Sequence, residues 1–427
     1  MKMLDIEMII NQPEHVEKAL EKRGFKVDFS GFLELREKRN ALIQKIEEVR
    51  AKRNKLSKMI GEYKREKKDT TEIFKEIETI KDAVILDEEN LADIEKRINE
   101  FLLKIPNIPD EDLLAGDKEN NVVVSVNKDQ PEFDFPIKDH VELATSLGLI
   151  DYERAAKISG RGTWIYTNLG ARLEWALINF FIDQHIKDDY EFMMLPHLLN
   201  YESGLTAGQF PKFEEDVFWL KDESPRKFLL PTAETALINV HRNEILDLKN
   251  LPRKYFSYTP CYRREAGSYR SEERGMIRGY QFNKVEMVQF TTPDNSDDAF
   301  LELMVKAESL MKKLGLHYQV SKLAAGDISF AMARTFDIEV WLPSIGIYKE
   351  VSSVSNSRDF QARRGMIRFR NEEGKVEYVH TLNGSGLATS RLLPAILEQS
   401  QQADGSVKIP EVLVPYLGGL KILKKVK

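Results

Sequence analysis

Tyr258-Thr259-Pro260-Cys261-Tyr262-Arg263-Arg264-Glu265-Ala266-Gly267-Ser268-Tyr269-Arg270 runs on through Arg274 and Arg278 into Gln281-Phe282-Asn283-Lys284-Val285-Glu286. Its two ends are aromatic and β-branched and its centre is polar with a glycine, which predicts strand, loop, strand, with arginines at one end and a carboxylate at the other. Further strands are predicted at 192–195, 227–230, 254–258, 281–290, 336–342 and 347–352, with helices around 169–185 and 298–314. Several strands follow one another with no helix between them. That order predicts a mainly antiparallel sheet and disfavours a doubly wound nucleotide-binding fold.

A second arginine-rich stretch runs from Glu350-Val351-Ser352-Ser353 through Arg358, Arg363, Arg364, Arg368 and Arg370 to Asn383-Gly384-Ser385-Gly386-Leu387-Ala388-Thr389-Ser390-Arg391. Thr389 stands where a dinucleotide loop needs its third glycine, and no phosphate loop of the G-x-x-x-x-G-K type occurs. A nucleotide would therefore be held by side chains. Glu286 alternates with Val285 and Met287 on its strand, and an inward carboxylate there requires a partner.

The N-terminal third follows a different rule. Leu35, Leu42, Val49 and Leu56 repeat every seven residues, with Ile46 and Ile60 on the adjoining row and Arg53 as the interruption. After a polar break at Lys67-Lys68-Asp69-Thr70, the series Ile73, Ile77, Ile80, Val84, Leu91, Ile94, Ile98 resumes the spacing, with Asp87 in the missing place. Two narrow stripes joined by a short polar turn predict an antiparallel two-helix coiled coil. At 1.5 Å per residue each helix would reach roughly 45 to 50 Å. Two prolines in Ile105-Pro106-Asn107-Ile108-Pro109 end the second helix. The expected division is a helical arm over 1–109, a linker over 110–135 with a short strand candidate at Val122-Val123-Val124-Val126, and a body over 136–427, an α+β chain as a whole.

Composition agrees with this division. The 427 residues are 42% hydrophobic and 31% charged, which excludes a wholly disordered chain. Net charge is −6, unfriendly to a chain that is a polycation throughout. Yet Arg50 to Lys68 holds nine basic residues against Glu62 and Glu66, a local net of +7 that leaves −13 for the remainder. Such a run is either a solvated helix face or a phosphate-binding surface, with Lys52, Arg53, Lys55 and Lys58 as the candidates for nucleic-acid backbone. The single cysteine, Cys261, excludes an internal disulfide and a multi-cysteine zinc site and suggests a reducing compartment. No apolar run of about 18 residues occurs, so no bilayer span is predicted.

With these stretches in view, the chain resembles a bacterial-type seryl-tRNA synthetase, a class II aminoacyl-tRNA synthetase. The likeness rests on the arm, the triplet Thr232-Ala233-Glu234, the stretch from Arg263 to Glu286 that is similar to class II motif 2, Asp337-Ile338-Glu339-Val340-Trp341-Leu342-Pro343, the run from Asp359 to Arg364, a motif 3 ending in Arg391, and Pro196 in the place of the motif 1 proline. Tyr280, Trp175, Ser390 and Tyr269-Arg270-Ser271-Glu272-Glu273 depart from the family's usual residues.

The resemblance implies a class II catalytic domain, a mainly antiparallel sheet flanked by helices, in a cytoplasmic homodimer with no membrane or DNA partner. It implies formation of seryl-adenylate from serine and ATP, then transfer of serine to the 3'-terminal adenosine of tRNA(Ser), and by the same likeness of tRNA(Sec). Arg263, Arg391 and Glu286 would be catalytic. ATP would meet Arg263, Arg264, Glu265, Phe282, Glu350, Val351, Ser352, Ser353 and Arg391, with Phe282 stacking on the adenine. Serine would meet Thr232, Ala233, Glu234, Arg263, Glu286, Asn383 and Ser385, although Thr232 and Ser385 also suit ordinary turns. Glu350 and Ser353 would hold Mg2+ through oxygen. The rivals are a paralogue serving inhibitor resistance or a biosynthetic acceptor, and a non-catalytic RNA-binding homologue.

Overall fold

The computed structural model describes residues 4–222, 224–265 and 274–425. The centre of the expected motif 2 loop, with the departures at Tyr269 to Glu273, lies outside the described residues. Two compact units result, one from residues 4–18 and 26–105, the other from 19–25 and 106–425.

The first unit is the arm. Helices α1 (Ser30–Arg65) and α2 (Thr71–Leu103) are rich in Leu, Ile, Glu, Lys and Arg and contain no proline, so little opposes a long helix. Lys67 adopts φ +56 in the turn, and the Asp69 carboxylate accepts from the N–H and hydroxyl of Thr71 as α2 begins. Leu56, Ile80 and Val84 are buried together, flanked by Val49, Ile73 and Ile77 as the heptads predict, while Arg53 stays exposed. Phe29, Phe32 and Phe101 close the other end, with the Phe32 and Phe101 rings stacked at 5.6 Å. Asp87 occupies its seam place and is ion-paired at 2.8 Å with Lys45. Arg39–Glu95, Arg50–Glu88 and Lys52–Glu76 pairs also cross the seam. Exposed pairs contribute roughly 0.2–1 kcal/mol each, enough to favour one register and too little to replace the apolar seam.

The second unit carries the sheet. In chain order its principal elements are β1 (Val122–Asn127), α3 (Asn168–Lys187), β2 (Glu191–Phe192), α4 (Ala233–Leu237), β3 (Arg253–Tyr262), β4 (Gln281–Thr291), α5 (Ser296–Leu314), β5 (Tyr318–Lys322), β6 (Arg334–Leu342), β7 (Ile347–Asn356), α6 (Phe360–Gly365), β8 (His380–Ala388) and α7 (Thr389–Gln399). Eight strands pair in the order β1-β5-β6-β7-β8-β4-β3-β2, antiparallel except for β2 with β3. The expected strand at 192–195 is shorter, since only Glu191 and Phe192 pair.

The segment 110–135, expected as a linker with a short strand candidate, joins the sheet. Its valines form β1, which pairs antiparallel with β5 at the sheet edge, and Asp110 is ion-paired with Arg334 and Arg358. A strand with one neighbour buries little, so its valines remain exposed.

One sheet face is covered by α3, α5 and α7, where Phe181, Phe300, Leu303 and Leu393 meet Val285 and Ile338 in the main core. Each such side chain contributes roughly 1.5–3 kcal/mol relative to exposure. Gly386 on β8 is required by this packing, because a Cβ there would fall 2.2 Å from Nε2 of the buried His185. Gly386 thus serves close strand-to-helix approach. The opposite face holds the polar side chains.

Candidate active site

Strand alternation and one bulge build the site. On β6, Thr335, Asp337 and Glu339 are two apart and face one way. Opposite them on β7 stand Ser355, Ser353 and Glu350, and the register slips between Ile338 and Glu339 so that Val351 has no partner. Without that extra residue Glu350 and Ser353 would point to opposite faces. The bulge turns both toward the cavity. On β4, Lys284 and Glu286 share this face, with Ser385 of β8 directly across from Glu286. Together they line a cavity of about 830 Å3.

Two carboxylates line the cavity. Glu286 is ion-paired with Lys284 and accepts 3.3 Å hydrogen bonds from Asn383 Nδ2 and Ser385 Oγ. Thr232 caps α4, its Oγ1 accepting from the Glu234 N–H at 3.3 Å and from Lys284 Nζ at 2.8 Å. Gln361 of α6 donates to Glu234 Oε1 at 2.8 Å. Burial, and then the neighbouring charge of Glu286, push the Glu234 carboxyl up to about 7.

Two arginines also line the cavity. Arg263 donates from Nε to the Pro231 carbonyl at 3.2 Å and lies over the Phe282 ring at 5.3 Å. Arg391, third residue of α7, donates to the Glu350 carbonyl at 2.8 Å and approaches Glu350 Oε2 at 3.4 Å. Arg278 pairs with Glu265 at 2.7 Å. Asp337 is buried, its Oδ1 has no hydrogen-bond partner among the described residues, and burial followed by the charge of Glu350 raises its pKa well above the ordinary range. A buried oxygen without a donor, beside Glu350 and Ser353, forms a hard-oxygen set that suits a divalent cation. Among the described residues no three His, Cys, Asp or Glu side chains converge into a complete metal cage.

Residues 3–109 match the seryl-tRNA synthetase N-terminal domain, and residues 218–400 match the class II tRNA synthetase core domain (G, H, P, S and T). The chain is 56% identical, over 98% of its length, to all of serine-tRNA ligase 2 of Clostridium acetobutylicum. It belongs to the seryl-tRNA synthetase family. It is also 47% identical to the serine-tRNA ligase of Desulforapulum autotrophicum, over 98% of both chains. The crystal structure of seryl-tRNA synthetase from Pyrococcus horikoshii complexed with ATP superposes with a TM-score of 0.92 at 33% identity, covering 100% of both chains.

Of the residues expected at the site, Thr232, Glu234, Arg263, Glu265, Glu286, Glu350, Ser353, Asn383, Ser385 and Arg391 line the cavity of this family member. Five expected side chains fall elsewhere. Ala233 is buried in the apolar cluster beneath α4, and Val351 is the bulge residue packed into the main core. Ser352 donates to the Ser385 carbonyl at 2.6 Å, away from the cavity. Arg264 is exposed and outside the cavity wall. Phe282, expected as an open stacking surface, is also outside the wall and supports the Arg263 guanidinium. Lys284, Asp337 and Gln361 are polar residues of the site region that sequence reasoning did not assign, although the period of two through Phe282, Lys284 and Glu286 carried the first of them. Arg23 was missed as well. Its guanidinium donates to the carbonyls of Asn107, Ile328, Ser329 and Met332 at 2.7 to 3.1 Å, holding the loop whose Ser329 and Met332 line the cavity. Burial lowers its pKa to about 10.

Proposed function

We propose that the cavity joins L-serine to AMP from ATP and then passes the seryl group to the terminal adenosine of tRNA(Ser), with tRNA(Sec) as a second acceptor implied by family resemblance. The observation that carries this reading is one cavity lined by a buried carboxylate pair and by two arginines.

In the first step the serine carboxylate attacks the α-phosphorus, a mixed anhydride forms and pyrophosphate leaves. Both reactants are anionic, so the demand is for fixed positive charge where negative charge grows. Arg263 would bridge the α-phosphate and the serine carboxylate, held by the Pro231 carbonyl and Phe282. Arg391 would take the γ-phosphate, giving up Glu350. Glu265 would face the adenine region. The serine ammonium and hydroxyl would lie against Glu234, Glu286, Thr232 and Ser385. No general base is needed, because positioning brings a nucleophile already ionised to its target. In the second step a ribose hydroxyl of the tRNA attacks the carbonyl carbon and AMP departs.

Glu350 and Ser353, with Asp337 beside them, would hold Mg2+, and the ATP phosphates would complete its shell. When bound, the ion neutralises phosphate charge. The acidic body and basic arm tip suit an RNA bound through Arg53, Lys55 and Lys58, with Lys52 shared with Glu76. Trp175, 53% exposed and packed against Tyr258, shares the body's surface with exposed Phe192 and Met194, apolar area that fits a homodimer formed through the motif 1 region. A chain that works on tRNA with its one cysteine buried fits a reducing cytoplasm.

The test is charging of purified tRNA(Ser) with labelled serine. Serine esterified to the tRNA supports the proposal. Adenylate formation without charging would favour a carrier ligase that serves another acceptor.

A further inference from the structure

Lys284 is a cation on the floor of the serine end, with 9% of its side chain exposed and 1% of that of its partner Glu286. Its ammonium touches two of the groups that would meet the substrate side chain. Thr232 Oγ1 accepts from Lys284 at 2.8 Å and from the Glu234 N–H at 3.3 Å, which fills both hydroxyl lone pairs and leaves the Thr232 O–H to donate. Glu286 Oε2 is occupied by Lys284 and Ser385, whereas among the described residues Oε1 accepts only from Asn383 Nδ2. One donor and one acceptor remain within reach of a single ammonium. A hydroxyl gives one hydrogen bond and takes one, so it matches that remainder. A methyl group satisfies neither.

We propose that Lys284 is a specificity-determining positioning residue, which fills Thr232 Oγ1 and Glu286 Oε2 so that the site accepts a small hydroxyl side chain and refuses alanine. The inference rests on the serine activation proposed above. A site whose buried polar groups need a substrate hydroxyl can reject an analogue lacking it by roughly 10^4. A lysine that merely neutralised a buried carboxylate would leave that selectivity intact.

The experiment measures amino-acid-dependent exchange of pyrophosphate into ATP for the full-length enzyme, Lys284→Met and Lys284→Arg, with serine and with alanine. The unmodified enzyme is expected to prefer serine over alanine by at least about 10^3 in kcat/KM. Lys284→Met should lower that ratio at least about 100-fold and raise the serine KM, with the ATP KM changed less than about threefold, while Lys284→Arg restores most of the ratio. An unchanged ratio in Lys284→Met, or serine and ATP KM rising by the same factor, overturns the proposal. So does activation of alanine by the unmodified enzyme within about tenfold of serine, a result that needs no folded variant. An unmodified enzyme that activates a different amino acid and not serine contradicts the proposed function itself. Serine-specific exchange with an unmoved Lys284→Met ratio contradicts only the part given to Lys284.

Discussion

The arm and the cavity use the same charged residue types under opposite conditions. On the arm, Lys52 and Glu76 meet at 2.7 Å with about half of each side chain in water, and Arg50 and Glu88 do the same at 2.5 Å. In the cavity, Lys284 and Glu286 meet almost without water, and their other partners come from residues as distant as Thr232 and Ser385. Exposed charge is screened, worth little per pair and replaceable, so it acts by number. Buried charge has no solvent to replace a lost partner, so each group matters singly. Substitutions in the two regions should therefore differ in size and in the activity they affect.

The largest effect is expected at Arg263. Arg263→Ala should lower serine-dependent pyrophosphate exchange by about 10^3, the scale of removing a donor aimed at developing charge. Its melting temperature should stay within a few degrees of the parent, and a loss of activity matched by a loss of fold would assign Arg263 to structure instead.

Next comes the arm. Alanine at Lys52, Arg53, Lys55 and Lys58 should reduce kcat/KM for tRNA by about 10- to 100-fold and leave exchange unchanged, with the slope of log affinity against log salt falling by about three. Four positions are changed, yet Lys52 is engaged by Glu76, so three free phosphate contacts are expected to disappear. A slope that does not move, or equal loss of both activities, would break the distinction between the regions.

A smaller and graded effect concerns pH. Glu234 is held protonated until about pH 7 by burial and by Glu286, against the help of Gln361, Lys284 and Arg263. Ionised Glu234 is the form that would pair with the serine ammonium, so the serine KM should rise about tenfold per pH unit as pH falls below 7. Glu234→Gln should flatten this limb in a KM profile from pH 5.5 to 8, and a variant that keeps the limb would move the titration to another group.

The smallest change is expected at the seam. Asp87→Leu fills an apolar place and frees Lys45, whose side chain is 58% exposed, to return to water. Thermal denaturation should show the arm more stable by about 1 kcal/mol, with exchange unaffected. Destabilisation would mean that the Lys45 pair does more than choose the register.

The two regions also differ in how far they are legible in sequence. The arm could be read almost entirely, because a coiled coil encodes its contacts at fixed short spacings and Asp87 stands where the missing seam residue belongs. Strands β3, β4, β6 and β7 were visible through their period of two, and the arginines through family motifs. Three things were hidden. The bulge at Val351 depends on pairing with a different strand, and nothing in Glu350-Val351-Ser352-Ser353 announces it. Arg23 acts on carbonyls some three hundred residues later, a relation that no local pattern contains. The valines of β1 are a strand candidate in sequence, but their antiparallel partner β5 lies far along the chain, and no local pattern names it.

Serine-dependent exchange of labelled pyrophosphate into ATP tests the central claim most directly, since it isolates adenylate formation in the cavity from anything the arm does. The account predicts exchange with serine, in the absence of tRNA, and at least about 10^3 weaker exchange with alanine. No exchange above background with serine, from folded protein supplied with ATP and Mg2+, would contradict it.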